Sequence, residues 1–431
     1  MTMTASAPRP TFNPAIEEAR SVALHLLKPS TRDLEYGLAL HREALVFESY
    51  SLGLRAPLDA PVINAAVEGG ASAEEMNDLS GDQWATGWVA DEALREEYRQ
   101  TLEAAGVTCL CINAGEEGNH PDRLLRRLAR LTFLIDMMPD LLARAATPAD
   151  IVAAHRAGKR CLYLTTNGVP LPGRHLSVEE ELAMIRVFAQ LGVRMMHLTY
   201  NRRNLLADGC AEKANAGLSD FGHAVVAEMN RCGVIIDLAH TGWQSSLEAA
   251  RVSTRPVVAS HTAAHALNAH LRAKPDEVIR AIVESGGTVG ITNIPEFLGR
   301  SGDIHALLDH LDYMVHTFGA GSVTIGTDSS YRSCHPPAGG AALQPRPRRR
   351  IGWENFWPKG FLEERERWKC STEARSLAWT NWPLFTVGLV QRGYDDETIR
   401  GIIGGNLLRV AEGVWSGSAL LERTPAHALN S

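Results

Sequence analysis

Eight short runs of β-branched and apolar residues, separated by longer stretches of helical periodicity, constrain the fold of this chain more than any other feature. They fall at Ala44–Glu48, Val107–Asn113, Arg160–Thr165, Arg194–Thr199, Val234–Leu238, Val257–Ser260, Thr288–Thr292 and Val323–Thr327. Most are followed by apolar residues at 3.6-residue spacing, as in Val178–Leu191 and Asp220–Cys232. Strands that alternate with helices pair in parallel, and eight such units close into a barrel. The expected fold is therefore α/β, a (β/α)8 TIM barrel with an N-terminal helical extension and C-terminal helices. Seven or nine units would have pointed to an open sheet. Ser72 with Glu75, and Ser177 with Glu180, have the spacing of helix-starting capping boxes. Gly192, Gly233 and the pair Gly286 and Gly287 stand where helices must end and turn back into the barrel.

The 431 residues are read as one barrel domain over 12–415, which includes a helical extension over 351–415. Residues 1–11 are low in apolar content and expected to be disordered, and 416–431 form a tail. Ser329–Arg350, rich in Pro, Gly and Arg, reads as a long loop after strand eight, with its cluster Arg346, Arg348, Arg349 and Arg350 solvated. An apolar fraction of 45% with 22% charged residues is that of an ordinary globular protein, and a net charge of −7 gives no reason to expect nucleic acid as partner. No secretion signal or membrane-spanning run is legible, and seven cysteines without CxxC spacing fit a reducing cytoplasm. Cys109 and Cys111 alternate along one strand and are expected to pack in the core. The five tryptophans between Trp353 and Trp382 are read as core or interface packing.

Barrel chemistry is done at the carboxyl ends of the strands. Those ends carry Glu48 and Tyr50, then Asn113, Glu116 and Glu117, then Asn167, then Tyr200 and Asn204. Strands five and six deliver Asp237, His240 and His261, strand seven Asn293, and strand eight Asp328. So many polar groups on one rim are expensive to desolvate unless they work together. Two histidines at adjacent strand ends suit one metal ion, since neutral imidazole is the commonest zinc ligand. Asp328 reads as a further ligand or as the general base for an attacking water, against the plainer role of a helix N-cap.

The segments Gly192–Asn201, Gly217–Gly222, Met229–His240, Ser260–Ala264, Arg272–Asp276, Ile325–Asp328 and Gly404–Arg409 together resemble the membrane (renal) dipeptidase family, zinc metallopeptidases on a (β/α)8 barrel. The resemblance implies that His240 and His261 hold the family's second zinc and that Asp328 handles the proton of the catalytic water. It implies that Arg272 clamps the substrate's terminal carboxylate, a task suited to a planar guanidinium. Asn204, Ala207 and Asp208 match the substrate-side loop after strand four. A homodimer is expected by analogy with the fold.

The chain also departs from the family. The His-x-Asp pair that holds the first zinc falls on Tyr50 and Leu52, the bridging glutamate on Asn167, and the substrate-polarising histidine on Tyr200. The expected centre therefore holds one zinc ion rather than two, on His240 and His261, with the third ligand open among Glu48, Glu116, Asp237 and Asp328. Asp328 and Tyr200 are the expected catalytic groups; Arg272, Asn204, Tyr50 and Asn167 are the expected substrate contacts. The resulting reading is a metal-dependent hydrolase acting on a dipeptide or related small amide bearing a carboxylate. Two alternatives are acid–base chemistry on a carboxylate metabolite in the same pocket, and a binding protein that has kept only the barrel.

Overall fold

The computed structural model describes residues 12–421 except 115–119, 175–176, 338, 341, 346–352, 362–364, 366–367 and 369–370. Eight strands form the barrel: β1 (Phe47–Ser51), β2 (Cys109–Asn113), β3 (Arg160–Thr166), β4 (Val193–His197), β5 (Ile235–Asp237), β6 (Val257–Thr262), β7 (Thr288–Ile291) and β8 (Val323–Ile325). Each pairs in parallel with the next in chain order. At the carboxyl end β1 and β8 are joined by Asp328 N to Tyr50 O, 3.2 Å, and Leu52 N to Ser329 O, 3.0 Å. The barrel expected from the sequence is the barrel observed.

The first strand starts later than its apolar run, because Ala44 is consumed as the C-cap of the helix Thr31–Glu43. The helix Asp220–Cys232 has the bounds read from the sequence, and Gly233 ends it at φ 66°. Ser72 and Glu75 do form a capping box. The expected loop after strand eight carries a two-residue strand, Tyr331–Arg332, paired with Leu54–Arg55. Its anchor is the Tyr331 hydroxyl, which donates to the buried Glu97 carboxylate at 2.6 Å. Residues 1–11, Glu116 and the Arg346 to Arg350 cluster lie outside the described residues.

Phe47, Cys109, Cys111, Cys161, Tyr163, Met195, Ile235 and Val258 fill the barrel interior. Leu407, Val410, Ala411 and Val414, from the helix Asn406–Trp415, pack into the same cluster. Gly404 lets this segment press against β1, since a Cβ there would meet Leu45 O at 2.2 Å. Cβ atoms at Gly290 and Gly326 would each lie 2.0 Å from Ser260 O of β6 and would also meet Ser49 Oγ of β1, at 2.4 and 2.6 Å. These two glycines keep β7 and β8 close enough for the ring to stay narrow.

Period-two alternation puts every second strand residue inward, but irregularities in β1 and β6 override it near the site, and a third falls between Leu164 and Thr165 of β3. The register shifts in β1 between Glu48 and Ser51, and in β6 between Ala259 and Thr262. Bulges of this kind re-aim side chains, and here they bring Tyr50 and His261 face to face. Glu48 goes the other way, into the seam behind the barrel. It accepts a hydrogen bond from the Thr327 hydroxyl and one of 2.8 Å from the Trp379 indole.

Burial pushes the Glu48 carboxyl up from the ordinary 4.5 to about 7, against the opposing pull of those hydrogen bonds. The folded state then holds this proton more tightly than the unfolded chain. Its contribution to stability is complete below pH 4.5 and is lost as pH rises through about 7. Glu48→Gln is expected to flatten that fall, gaining up to about 3 kcal/mol on the parent between about pH 5 and about pH 8. Urea unfolding of both proteins at the two pH values measures it; parallel losses would contradict the assignment.

Candidate metal centre

Three imidazoles gather at the carboxyl end of the barrel: His197 from the last position of β4, His240 from the turn after β5, and His261 from β6. Their ligand atoms all lie within 4.8 Å of one another, and all three residues are buried. His240 Nε2 and His261 Nε2 are 3.0 Å apart. His240 Nδ1 is 2.7 Å from Asn201 Oδ1, an atom that can only accept, so Nδ1 carries the hydrogen and Nε2 presents a lone pair. His261 Nδ1 meets the Ser260 hydroxyl at 2.8 Å. Two nitrogens bound to one tetrahedral ion at about 2.0 Å would stand about 3.3 Å apart, so the pair fits a shared metal. Burial, then the Arg272 guanidinium, hold both imidazoles well below the usual range, which keeps them neutral and able to ligate.

Asp237 braces this arrangement. Its Oδ1 accepts from Ala239 N and from Ser260 N, both at 3.0 Å, which fixes the residues just before His240 and His261. Arg272 is fully buried: Nη1 donates to Ala239 O, and Nη2 donates to His261 O and also lies 3.4 Å from His240 Nε2. Lys274, also buried, donates to Thr241 O and to Ser246 Oγ. Burial pushes its ammonium down to about 7.

Aromatic rings roof the cluster. Tyr50 stacks on His261 at 3.9 Å and Tyr200 on His240 at 4.1 Å. Tyr200 meets Phe356 and Trp357 edge-on, and Trp357 stacks on Phe361 at 3.9 Å. Arg202 ties this segment down through Nε to Asn355 O, 3.0 Å, and Nη2 to Trp357 O, 3.2 Å. His240 is left 4% exposed, and His197 and His261 not at all.

The structure thus brings together His240, His261, Arg272, Tyr50, Tyr200 and Asn167, whose Oδ1 accepts from the Tyr50 hydroxyl at 2.5 Å. Asp328 sits beside them, half-buried, in a left-handed conformation at φ 54°. Asn204 is engaged elsewhere: its amide accepts from Leu206 N and Ala207 N and donates to Leu198 O, shaping the loop. Asp208 holds Arg203 through two contacts and also accepts from Ala216 N. Among the expected third ligands, Glu48 faces the seam, and neither Asp237 nor Asp328 belongs to the three-residue group. The residue missed in the sequence is His197. It lies inside the apolar run Arg194–Thr199 rather than at its end, and only its spacing of two from the inward-facing Met195 marks it in the sequence.

Residues 82–338 match the family described as membrane dipeptidase, peptidase family M19. The chain belongs to this family. Among its relatives, dipeptidase aclJ of Aspergillus oryzae is 30% identical over 285 residues, which cover 64% of this chain and 57% of aclJ. The chain thus spans little more than half the length of that relative. In fold it resembles an amidohydrolase from Pseudomonas aeruginosa, with TM-score 0.61 and 22% identity over 88% of this chain and 99% of the other. It also resembles a metallo peptidase from Rhodobacter sphaeroides liganded with a phosphinate mimic of the dipeptide L-Ala-D-Ala. That match has TM-score 0.59 and 18% identity over 86% of this chain and 99% of the other. No helix among the described residues is long and apolar enough to cross a membrane. The M19 family implies a metal, and the imidazole pair has the donor chemistry for one.

Asn201 itself sits at φ 60°, so Asn201→Gly keeps the backbone while deleting the acceptor that orients His240. Zinc affinity, read by competition with a chromophoric chelator, is expected to fall about 10- to 100-fold in that variant. Asn201→Asp, which restores an acceptor, should recover it; equal affinities in all three proteins would remove Asn201 from the centre.

Proposed function

We propose that this protein is a metal-dependent hydrolase that cleaves a dipeptide or related small amide bearing a carboxylate, using one zinc ion held through His240 and His261. The observation that carries this reading is the retained imidazole pair, neutral and with its nitrogens converging, in a chain of the M19 family. A bound zinc ion would supply a water whose pKa is lowered to about 7 and would polarise the amide carbonyl. Asp328 is the base in this reading, taking the proton of the attacking water at a carboxylate oxygen and passing it to the leaving amine nitrogen. Arg272 and Lys274 place positive charge beneath the mouth, which favours an anionic substrate end. Tyr50 and Tyr200 hold the imidazoles in plane from either side, and the roof excludes water from the reacting groups. Because the roof shuts the imidazoles off from solvent, substrate reaches them only when that cover shifts. Cytoplasmic location and a homodimer belong to the same proposal.

Acid–base chemistry on a carboxylate metabolite is the second reading, favoured by the Tyr50–Asn167 hydrogen bond, which puts a phenol where the resemblance implies a metal ligand. A dipeptide panel that includes L-Ala-D-Ala separates the two. Hydrolysis should vanish with a zinc chelator, return with added zinc, and drop at least about 100-fold in His261→Ala. Hydrolysis untouched by chelator, or no amide cleaved by the zinc-loaded protein, would overturn the hydrolase reading.

A further inference from the structure

We propose that His197 is the third protein ligand of a one-ion, three-histidine centre set deeper in the barrel than the two-ion centre that the family resemblance implies. Strand register puts it there. His197 pairs with Asp237 across β4 and β5, and both lie two residues beyond interior side chains, Met195 and Ile235. Its Nδ1 is 2.7 Å from Thr166 O, and a carbonyl oxygen only accepts. Nδ1 therefore carries the hydrogen, and Nε2 is a bare lone pair.

That lone pair has no hydrogen-bond partner, although it is fully buried. The nearest acidic atom, Asp237 Oδ2, is 3.0 Å away and is itself buried without a hydrogen-bond partner. Two acceptors this close in a dry interior repel each other, and a buried polar atom left unsatisfied is costly. A cation held by His197 relieves both at once, as ligand on one side and compensating charge on the other. The ligand atoms of all three imidazoles lie within 4.8 Å of one another.

The half of the site where the resemblance implies a first zinc is occupied by protein. Tyr50 lies flat on His261 and edge-on to His197 at 5.5 Å, with its hydroxyl bonded to Asn167. The ring fills space that a second ion and its ligands would need. Three neutral imidazoles also alter selectivity: they suit zinc, copper, nickel or iron, whereas magnesium, calcium and manganese prefer oxygen donors.

This inference shares the metal with the proposed hydrolase but does not depend on hydrolysis. The chain purified without chelator and loaded with zinc should hold about one equivalent by elemental analysis. Loaded with copper(II), the folded wild-type chain should show three coupled imidazoles by pulsed EPR, a count that needs no variant. His197→Ala and the bulkier His197→Gln should bind zinc at least about 100-fold more weakly, with circular dichroism reporting whether each is folded. Two coupled imidazoles, two equivalents of zinc, or unchanged affinity in either folded variant would overturn the three-histidine centre. Three imidazoles with no amide cleaved would retain this centre and remove the hydrolase reading; two imidazoles with zinc-dependent cleavage would do the reverse.

Discussion

The buried carboxylate of Asp237 is the constraint around which the mouth of this barrel is arranged. One oxygen takes backbone N–H groups from Ala239 and Ser260, and so sets the approach of both His240 and His261. The other faces His197 across the β4–β5 register. A carboxylate is a costly group to bury, and it persists only where its neighbours need it. Here it is the negative counterpart to Arg272 and Lys274, two cationic side chains also shut away from water. Removing it would leave both of them and the histidine cluster without a buried anion.

Around that carboxylate, phenol rings and an amide stand beside the imidazoles. Tyr50, Asn167 and Tyr200 stand where the family resemblance implies ligands or a substrate-polarising histidine. The two tyrosine rings stack on the remaining imidazoles, and the amide of Asn167 takes the Tyr50 hydroxyl. Arg272 braces the histidine loops through two backbone carbonyls. The same residue types that bind a substrate in an open mouth thus serve here to rigidify a closed one. A dry, preorganised pocket strengthens every electrostatic interaction inside it.

Much of the fold was legible because its signals are local. Each strand run and each helical repeat can be counted along the chain, and eight alternations admit a closed parallel barrel. Asp220–Cys232 was readable to the residue, since Ser219 and Gly233 punctuate both ends. The boundary of β1 was not, because Ala44 is apolar whether it caps a helix or begins a strand. His240, His261 and Asp328 stand out as polar residues at strand ends, and Arg272 through the family resemblance. His197 does not, because a histidine inside a hydrophobic run looks like a packed core residue until its neighbours are known.

The sequence by itself therefore determined the barrel and the histidine pair at its strand ends, which follow from periodicity and turn chemistry, and the family through the resemblance of whole segments. Only the tertiary structure decided the company those residues keep. Register brought His197 beside Asp237, and bulges in β1 and β6 turned Tyr50 and His261 toward each other. Glu48, an acid at a strand end by sequence, was sent to the far side of the sheet. The physical reason is that a one-residue change in pleat reverses a side chain, and no local pattern records where a bulge will fall.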